Sequence, residues 1–129
     1  MILQIKGDRM SIKIEGNKFK KAHITGPRHN FLSLVLAQDQ LNFNFSLTDL
    51  NVDLKNINLS EEQVRTQIIN GVDRINNKLG TNYRVASAEF LSNDTNSDYI
   101  YAKLTFDIIN EAHEKGLLNF WKDFLTLYK

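Results

Sequence analysis

Hydrophobic and polar residues alternate with a period of two through most of the first half of the chain. In residues 41–47, leucine and phenylalanine occupy every second position and asparagine or serine the others. Because successive side chains of a strand point to opposite faces, this pattern predicts a sheet with one apolar face. The phase shifts at Thr48-Asp49 and again at Lys55-Asn56. We interpret the first shift as a two-residue hairpin loop or a bulge that keeps Leu47 and Leu50 on the same buried face, and a hairpin would place Val52 and Leu54 on that face as well. We interpret the second shift as a bulge or the strand's end.

Short turns divide the N-terminal part into separate strands. Gly7-Asp8 and Gly16-Asn17 are pairs that favour two-residue hairpin loops, and the second turn would place Glu15 opposite Lys18. A third turn at Gly26-Pro27 separates two further runs that are rich in apolar residues. Together these signals predict an antiparallel N-terminal meander of five or six strands.

At residue 60 the spacing of the apolar residues changes from every second position to every third or fourth position. Ser60 and Gln63 have the spacing of a capping box, and Gly80 stands where a helix commonly ends. Between them, apolar residues recur three and four positions apart, at Val64, Ile68, Val72, Ile75 and Leu79. We therefore predict a helix over 60–79, followed by one more strand in 81–91.

The last third of the chain is less distinct. Residues 99–109 fit a strand or a helix, and we prefer the helix, with Ser97 or Asp98 as its cap and Gly116 as its stop. The tail over 117–128 has one apolar helical face and predicts a short closing helix. The whole chain, residues 1–129, is thus predicted to be one α+β domain, in which two or three C-terminal helices cover one face of the sheet and one further strand lies between helices.

Composition excludes several kinds of chemistry. The 129 residues include no cysteine, which excludes disulfides, thiolate zinc sites and cysteine nucleophiles. The sequence contains no P-loop, dinucleotide fingerprint, serine-hydrolase elbow, zinc-protease motif or EF-hand loop. We therefore predict no cofactor and no metal site. No apolar run has the length of a signal peptide core or of a membrane span, so we expect a cytoplasmic protein that does not contact a membrane.

Charge is distributed unevenly along the chain. The net charge is +1, but residues 1–30 hold seven basic side chains against two acidic ones, a local balance of +5. Lys18, Lys20, Lys21 and Arg28 are therefore candidates for binding a nucleic acid or an acidic partner. The alternative interpretation is that these lysines form the solvated face of a sheet.

The densest group of polar residues is the loop His23–Asn30, which reads HITGPRHN. Here His29, Arg28 and His23 are candidate catalytic residues, because a metal-independent phosphodiesterase could use an imidazole and a guanidinium together. The alternative is a solvated hairpin loop. A second loop, residues 92–98, carries Asp94 and Asp98, whose oxygens are of the type that binds hard cations. Since that loop lacks the spacing of an EF-hand, we interpret it as a turn and a helix cap.

Three functional hypotheses follow. The first is a non-catalytic protein-binding module, such as a small bacterial immunity protein, antitoxin or adaptor, which the single domain, the lack of catalytic motifs and the uneven charge favour. The chain has 15 asparagines, and those on the polar side of the predicted sheet could offer a protein partner an uncharged hydrogen-bonding face; the alternative is a compositional bias toward asparagine and lysine. These sheet positions include Asn42, Asn44, Asn51, Asn56 and Asn58. The second is a small-ligand-binding protein or metal-independent enzyme with its site near the His23–Asn30 loop. The third is a nucleic-acid binder that uses the basic N-terminal strands. We prefer the first, and an exposed edge strand could additionally form a homodimer.

Overall fold

The computed structural model describes residues 11–38 and 44–118, which form five strands and two helices. The class is α+β, as predicted. In chain order the elements are β1 (Lys13–Glu15), β2 (Lys18–Thr25), β3 (Arg28–Gln38), β4 (Ser46–Asp49), α1 (Glu61–Leu79), β5 (Tyr83–Phe90) and α2 (Ile100–Glu114). The strands form one sheet in the order β1-β2-β3-β5-β4.

The first three strands follow the predicted hairpin pattern. Glu15 pairs with Lys18 and Ile14 with Phe19, which confirms the predicted register around the Gly16-Asn17 turn. Gly16 has a φ of 62°, a conformation that glycine adopts without steric cost. β2 and β3 are also antiparallel, and the Gly26-Pro27 turn joins them. The predicted hairpin at Gly7-Asp8 lies outside the described residues.

The predicted all-antiparallel meander is wrong at β4. This strand pairs with β5 in parallel, with Leu47 opposite Ala88, and no hairpin forms at Thr48-Asp49 because the strand ends at Asp49. β5 is antiparallel to β3 and lies between β3 and β4. Parallel neighbours require a crossover connection, which α1 provides, so β4, α1 and β5 form a βαβ unit in a mixed sheet.

α1 begins and ends at its predicted signals. α2 has Tyr99 as its N-cap, so the predicted caps Ser97 and Asp98 lie one or two positions before it, and it ends before Gly116 as predicted. Ser60 Oγ accepts a hydrogen bond of 3.0 Å from Gln63 N, the Gln63 side chain accepts one from Ser60 N, and Gly80 closes α1 with a φ of 67°. Residues 100–114 are helical, as preferred, and Ser97 Oγ accepts a hydrogen bond of 3.0 Å from Ile100 N. The described residues thus contain two of the two or three predicted helices. Most of the predicted tail helix lies outside them.

The two helices pack against each other and against one face of the sheet. Side chains from the sheet and from both helices are fully buried between the two layers, including Leu32, Leu34, Phe90, Ile68, Ile75, Leu104 and Ile108. α1 approaches α2 closely at Gly71, where a Cβ atom would lie 2.5 Å from the carbonyl oxygen of Ala102. The opposite face of the sheet exposes polar residues and Ile24.

In this topology, the ends of β4 and β5 and the start of β3 lie on the same side of the sheet. The connections 50–60 and 91–99 both start where β4 and β5 end, and hydrogen bonds join 91–95 to the start of β3. We call these two connections and the first residues of β3 the loop end. The candidate functional residues discussed below lie there.

Candidate functional site

The half-buried Asp49 and the buried Ser92 join the connections of the loop end to each other. Asp49 Oδ1 accepts hydrogen bonds of 2.9 Å from Asn51 N and 3.0 Å from Ser92 N. Burial raises the pKa of the Asp49 carboxyl, but the bonds from Ser92 and Asn51 outweigh that effect and leave it below its ordinary value. The Ser92 carbonyl accepts from both Asn58 N, at 2.7 Å, and Leu59 N, at 3.1 Å. Both ends of the 50–58 stretch are thus held at Ser92.

Asparagine side chains complete this junction. Asn51 Nδ2 donates to the Lys55 carbonyl and to Ser92 Oγ, and Asn58 Nδ2 donates to the carbonyls of Asn93 and Asp94. The sequence suggested that Asn51 and Asn58 lie on a polar sheet face, and that interpretation is wrong because residues 50–58 form no strand. Short amides that bond to nearby backbone are typical of ordered loops. These two asparagines therefore stabilise a loop conformation.

The fastened loop, residues 50–57, exposes apolar side chains. It carries four of the seven large apolar side chains that are exposed among residues 11–38 and 44–118: Leu50 at 38%, Val52 at 85%, Leu54 at 62% and Ile57 at 54%. The alternation pattern predicted that Leu50, Val52 and Leu54 share a buried sheet face. That prediction is wrong because β5 takes the place beside β4 that these residues would have occupied.

The loop backbone includes two unusual conformations. Leu54 has a φ of 54° and Asn56 a φ of 55°. Asparagine tolerates the left-handed region, but a leucine there costs of the order of 1 kcal/mol. Leu54 N nevertheless donates a 3.1 Å hydrogen bond to the Asn51 carbonyl, which holds the turn. The loop is therefore built to a specific shape while its leucine side chain remains in solvent.

On the other side of the loop end, a buried carboxylate orients an exposed imidazole. His29 Nδ1 lies 2.8 Å from Asp94 Oδ1, and Phe31 N donates a 2.8 Å hydrogen bond to Asp94 Oδ2. The Asp94 side chain is 1% exposed and the His29 side chain 59% exposed. Burial raises the pKa of Asp94 although both hydrogen bonds oppose that shift. Because a carboxylate only accepts, the pair places the imidazole proton on Nδ1 and leaves Nε2 as a proton acceptor in solvent.

Further hydrogen bonds fix the position of this pair. Thr95 N donates to the His29 carbonyl, and Thr95 Oγ1 accepts from His29 N, so the segment after β5 continues to pair with β3. Beneath it, Asn30 Nδ2 donates to the Thr95 carbonyl at 2.7 Å and to Tyr101 Oη at 3.0 Å. Burial is the main cause that raises the pKa of Tyr101, which therefore stays a neutral phenol. Asp94 is thus held by a connected polar network that reaches α2.

The structure does not bring the three predicted catalytic candidates together. Arg28 and His29 are successive residues of β3, so their side chains leave opposite faces of the sheet. His23 pairs with Asn30 in the β2–β3 register and therefore lies on the face opposite His29. The partner of His29 is Asp94, which is 65 positions away, and no signal in the sequence links the two.

The predicted basic binding residues are largely engaged within the protein. Lys18 Nζ lies 3.1 Å from Glu89 Oε2, and Lys20 forms an ion pair with Glu15. The Lys21 side chain is 8% exposed and lies 4.0 Å from Glu111 of α2. Arg28 is exposed at the β2–β3 turn. A nucleic acid would therefore have to displace ion pairs at these lysines, and their role in binding stays a prediction.

The described ranges provide no evidence for a metal site. Asp94 faces His29 and the Phe31 amide, and no group of three or more histidine, aspartate or glutamate side chains in these ranges could hold a metal ion. Within the same ranges, no helix is long and apolar enough to cross a membrane. No protein-family model, curated protein or solved structure matches the chain. The geometry of the loop end is therefore the basis for assigning a function.

Proposed function

We propose that this protein is a non-catalytic protein-binding module and that the loop 50–57 is its principal binding element. The observation that carries the proposal is the clustering of four exposed aliphatic side chains in eight residues of a loop whose two ends are fastened at Ser92. Exposed apolar residues grouped in this way are a common mark of a binding surface. A role as an immunity protein, antitoxin or adaptor is compatible with such a module, and a cytoplasmic location suits it.

The fixed shape of the loop favours a folded protein as the partner. A loop that is ordered before binding loses little conformational entropy when it binds, which leaves more of the contact energy for affinity. Its side chains are aliphatic, and its charges, Asp53 and Lys55, balance. The complementary surface is therefore an uncharged apolar recess on the partner.

The replacement of Val52 and Leu54 by aspartate will strongly weaken partner binding. Burial of a valine or leucine side chain contributes roughly 1.5–3 kcal/mol, so the loss of both should weaken binding at least about 100-fold. The wild-type protein and Val52→Asp/Leu54→Asp would be used to capture partners from native lysate with nuclease present. The affinity of the recombinant captured protein would then be measured by calorimetry.

The matched control is Ile24→Asp, which places the same charge at an aliphatic residue that is 71% exposed on the open sheet face. The proposal expects Ile24→Asp to bind normally, and both variants should keep the circular dichroism and denaturation midpoint of the wild type. If the loop variant binds as well as the wild type, the loop is not the binding element. If nuclease or high salt abolishes the capture of partners, the result would instead support the nucleic-acid alternative.

A second candidate function rests on the His29–Asp94 pair. An imidazole with a free Nε2 and an Nδ1 held by a buried carboxylate has the arrangement of a general base. The site would act on a ligand bound on the open sheet face, beside Ile24, which pairs with His29 in the β2–β3 register. This would make the protein a metal-independent enzyme or a small-ligand binder.

Hydrolysis of bis(4-nitrophenyl) phosphate and 4-nitrophenyl acetate in the presence of EDTA tests this second function. If His29 is a general base, His29→Ala should lower the rate by roughly 100-fold or more. Asp94→Asn should lower the rate by a similar factor, because its amide NH₂ donates to Nδ1 and the imidazole proton then lies on Nε2, which cannot act as a base. His113→Gln serves as the control, because it removes an imidazole of α2 but keeps an amide that can bond Tyr83 Oη, which lies 2.9 Å from His113 Nδ1. Rates that do not differ between these variants, or no turnover by the wild type, would remove His29 from consideration as a base toward these esters.

A further inference from the structure

The outer side of the helical layer contains a groove of about 510 Å³ between α1 and α2. Its size is in the range of small-molecule sites. α1 contributes Asn70 and Arg74, and Asp98, Tyr99, Lys103 and Phe106 line the other side. The groove does not include the loop 50–57 or His29, so neither proposed function accounts for it.

Arg74 is the cation of the groove that is available to a ligand. The Lys103 ammonium lies 2.6 Å from Asp107, and the Lys78 ammonium lies over the Phe106 ring, 5.4 Å from its centroid. Arg74 is exposed and has no ion pair or hydrogen bond to another residue of the described chain. A guanidinium presents a planar set of donors that matches a carboxylate or a phosphate.

Aromatic rings stand in the same groove. Tyr99 is 62% exposed, an unusual position for a large aromatic side chain, and Phe106 is half-buried. Aromatic rings stack on flat ligands, and because Lys78 lies over one face of Phe106, the other face and the exposed Tyr99 ring are the surfaces for such a contact. The Asn70 amide adds a group that can donate and accept hydrogen bonds. Asp98 contributes the opposing charge, which should weaken the attraction of an anion.

We propose that this groove binds a small anion that carries an aromatic ring. The anionic group pairs with Arg74, and the ring lies against Tyr99 and Phe106. This site is separate from the protein-binding loop, so it would persist in a variant of that loop that binds no partner.

Titration of the full chain with 1-naphthyl phosphate, followed by ¹H–¹⁵N NMR, tests the proposal, and uncharged 1-naphthol serves as the matched ligand. We expect saturable shifts centred on the amides of Asn70, Arg74 and Tyr99 and much weaker binding of 1-naphthol. Arg74→Gln should reduce affinity at least about tenfold, since it removes a charge-assisted contact. Asp98→Asn should raise affinity severalfold because it removes the opposing charge.

Lys13→Gln is the control for net charge, since Lys13 is exposed on β1, and its affinity should equal that of the wild type. Three results would each overturn the proposal: no saturable shifts up to about 5 mM ligand, equal affinity for naphthol, or an unchanged affinity in Arg74→Gln. Chemical-shift changes centred on residues 50–57 would also overturn it, because they would show that the probe binds exposed apolar surface instead of the groove.

Discussion

The replacement of Gly71 by alanine will destabilise the protein by roughly 2–3 kcal/mol, the cost of overpacking a tight interface. A Cβ atom at this position would lie 2.5 Å from the Ala102 carbonyl oxygen and 2.7 Å from Thr105 Cβ. The first of these atoms belongs to the α2 backbone, so a side-chain rotation cannot relieve the contact. The helices would have to separate, and the packing of both on the sheet would loosen.

The direction of the stability change in Gly71→Ala tests whether α1 and α2 are closely packed. In the middle of a helix, alanine is more favourable than glycine by up to about 1 kcal/mol, so a helix without a close neighbour would gain stability from the change. Asn77→Ala, at an exposed position of α1, is the control and should be neutral or slightly stabilising. Urea denaturation of both variants measures the difference. An increase in the free energy of unfolding of Gly71→Ala would show that α1 and α2 are not packed as described.

Local sequence signals identified most of the elements because each signal acts over a few residues. The capping residues Ser60 and Gln63, the terminal glycines Gly80 and Gly116, and the Gly16-Asn17 turn all determine backbone geometry where they stand. Each of these predictions is confirmed. The helical assignment of 100–114 is likewise confirmed, since its length and its flanking cap and stop favoured a helix over a strand.

Strand pairing was predicted less well. The alternation of apolar and polar residues indicates which face of a strand is buried, but it does not indicate which strand lies beside it. Residues 50–54 alternate as a strand would, yet β5 pairs with β4, and Leu50, Val52 and Leu54 remain in solvent. The same limit applies to the site. Sequence reasoning identified His29 as a candidate, but its partner Asp94 comes from a loop 65 residues away and was interpreted as part of a turn. Only the fold brings the two together.

The replacement of Asp94 by alanine will cost about 2–4 kcal/mol of folding free energy, because it removes two charge-assisted hydrogen bonds at a buried position. The Phe31 amide would lose its acceptor and His29 its orienting partner. Asp94→Asn should cost less than about 1.5 kcal/mol, since an amide oxygen can still accept from Phe31 N and its NH₂ group can donate to the other tautomer of His29. Denaturation at pH 7 gives both values. Equal losses in the two variants would contradict the role of the hydrogen bonds.

The stability difference between the wild type and Asp94→Asn should depend on pH in a direction that follows from the Asp94 pKa shift. Burial raises the pKa of Asp94 in the folded protein above its ordinary value, so the folded state binds a proton more readily than the unfolded state. That contribution to stability is fully present below the ordinary pKa of an aspartate and is lost as the pH rises through the folded value. The wild type should therefore gain stability relative to Asp94→Asn as the pH falls from 7 toward 4, while titratable groups that do not contact Asp94 cancel in the comparison. To remove the contribution of His29, which contacts Asp94, the comparison would be repeated with His29→Gln in both proteins. A wild type that instead loses stability relative to Asp94→Asn over this interval would mean that the hydrogen bonds from Phe31 and His29 outweigh burial. Asp94 would then be an anion that the folded protein stabilises.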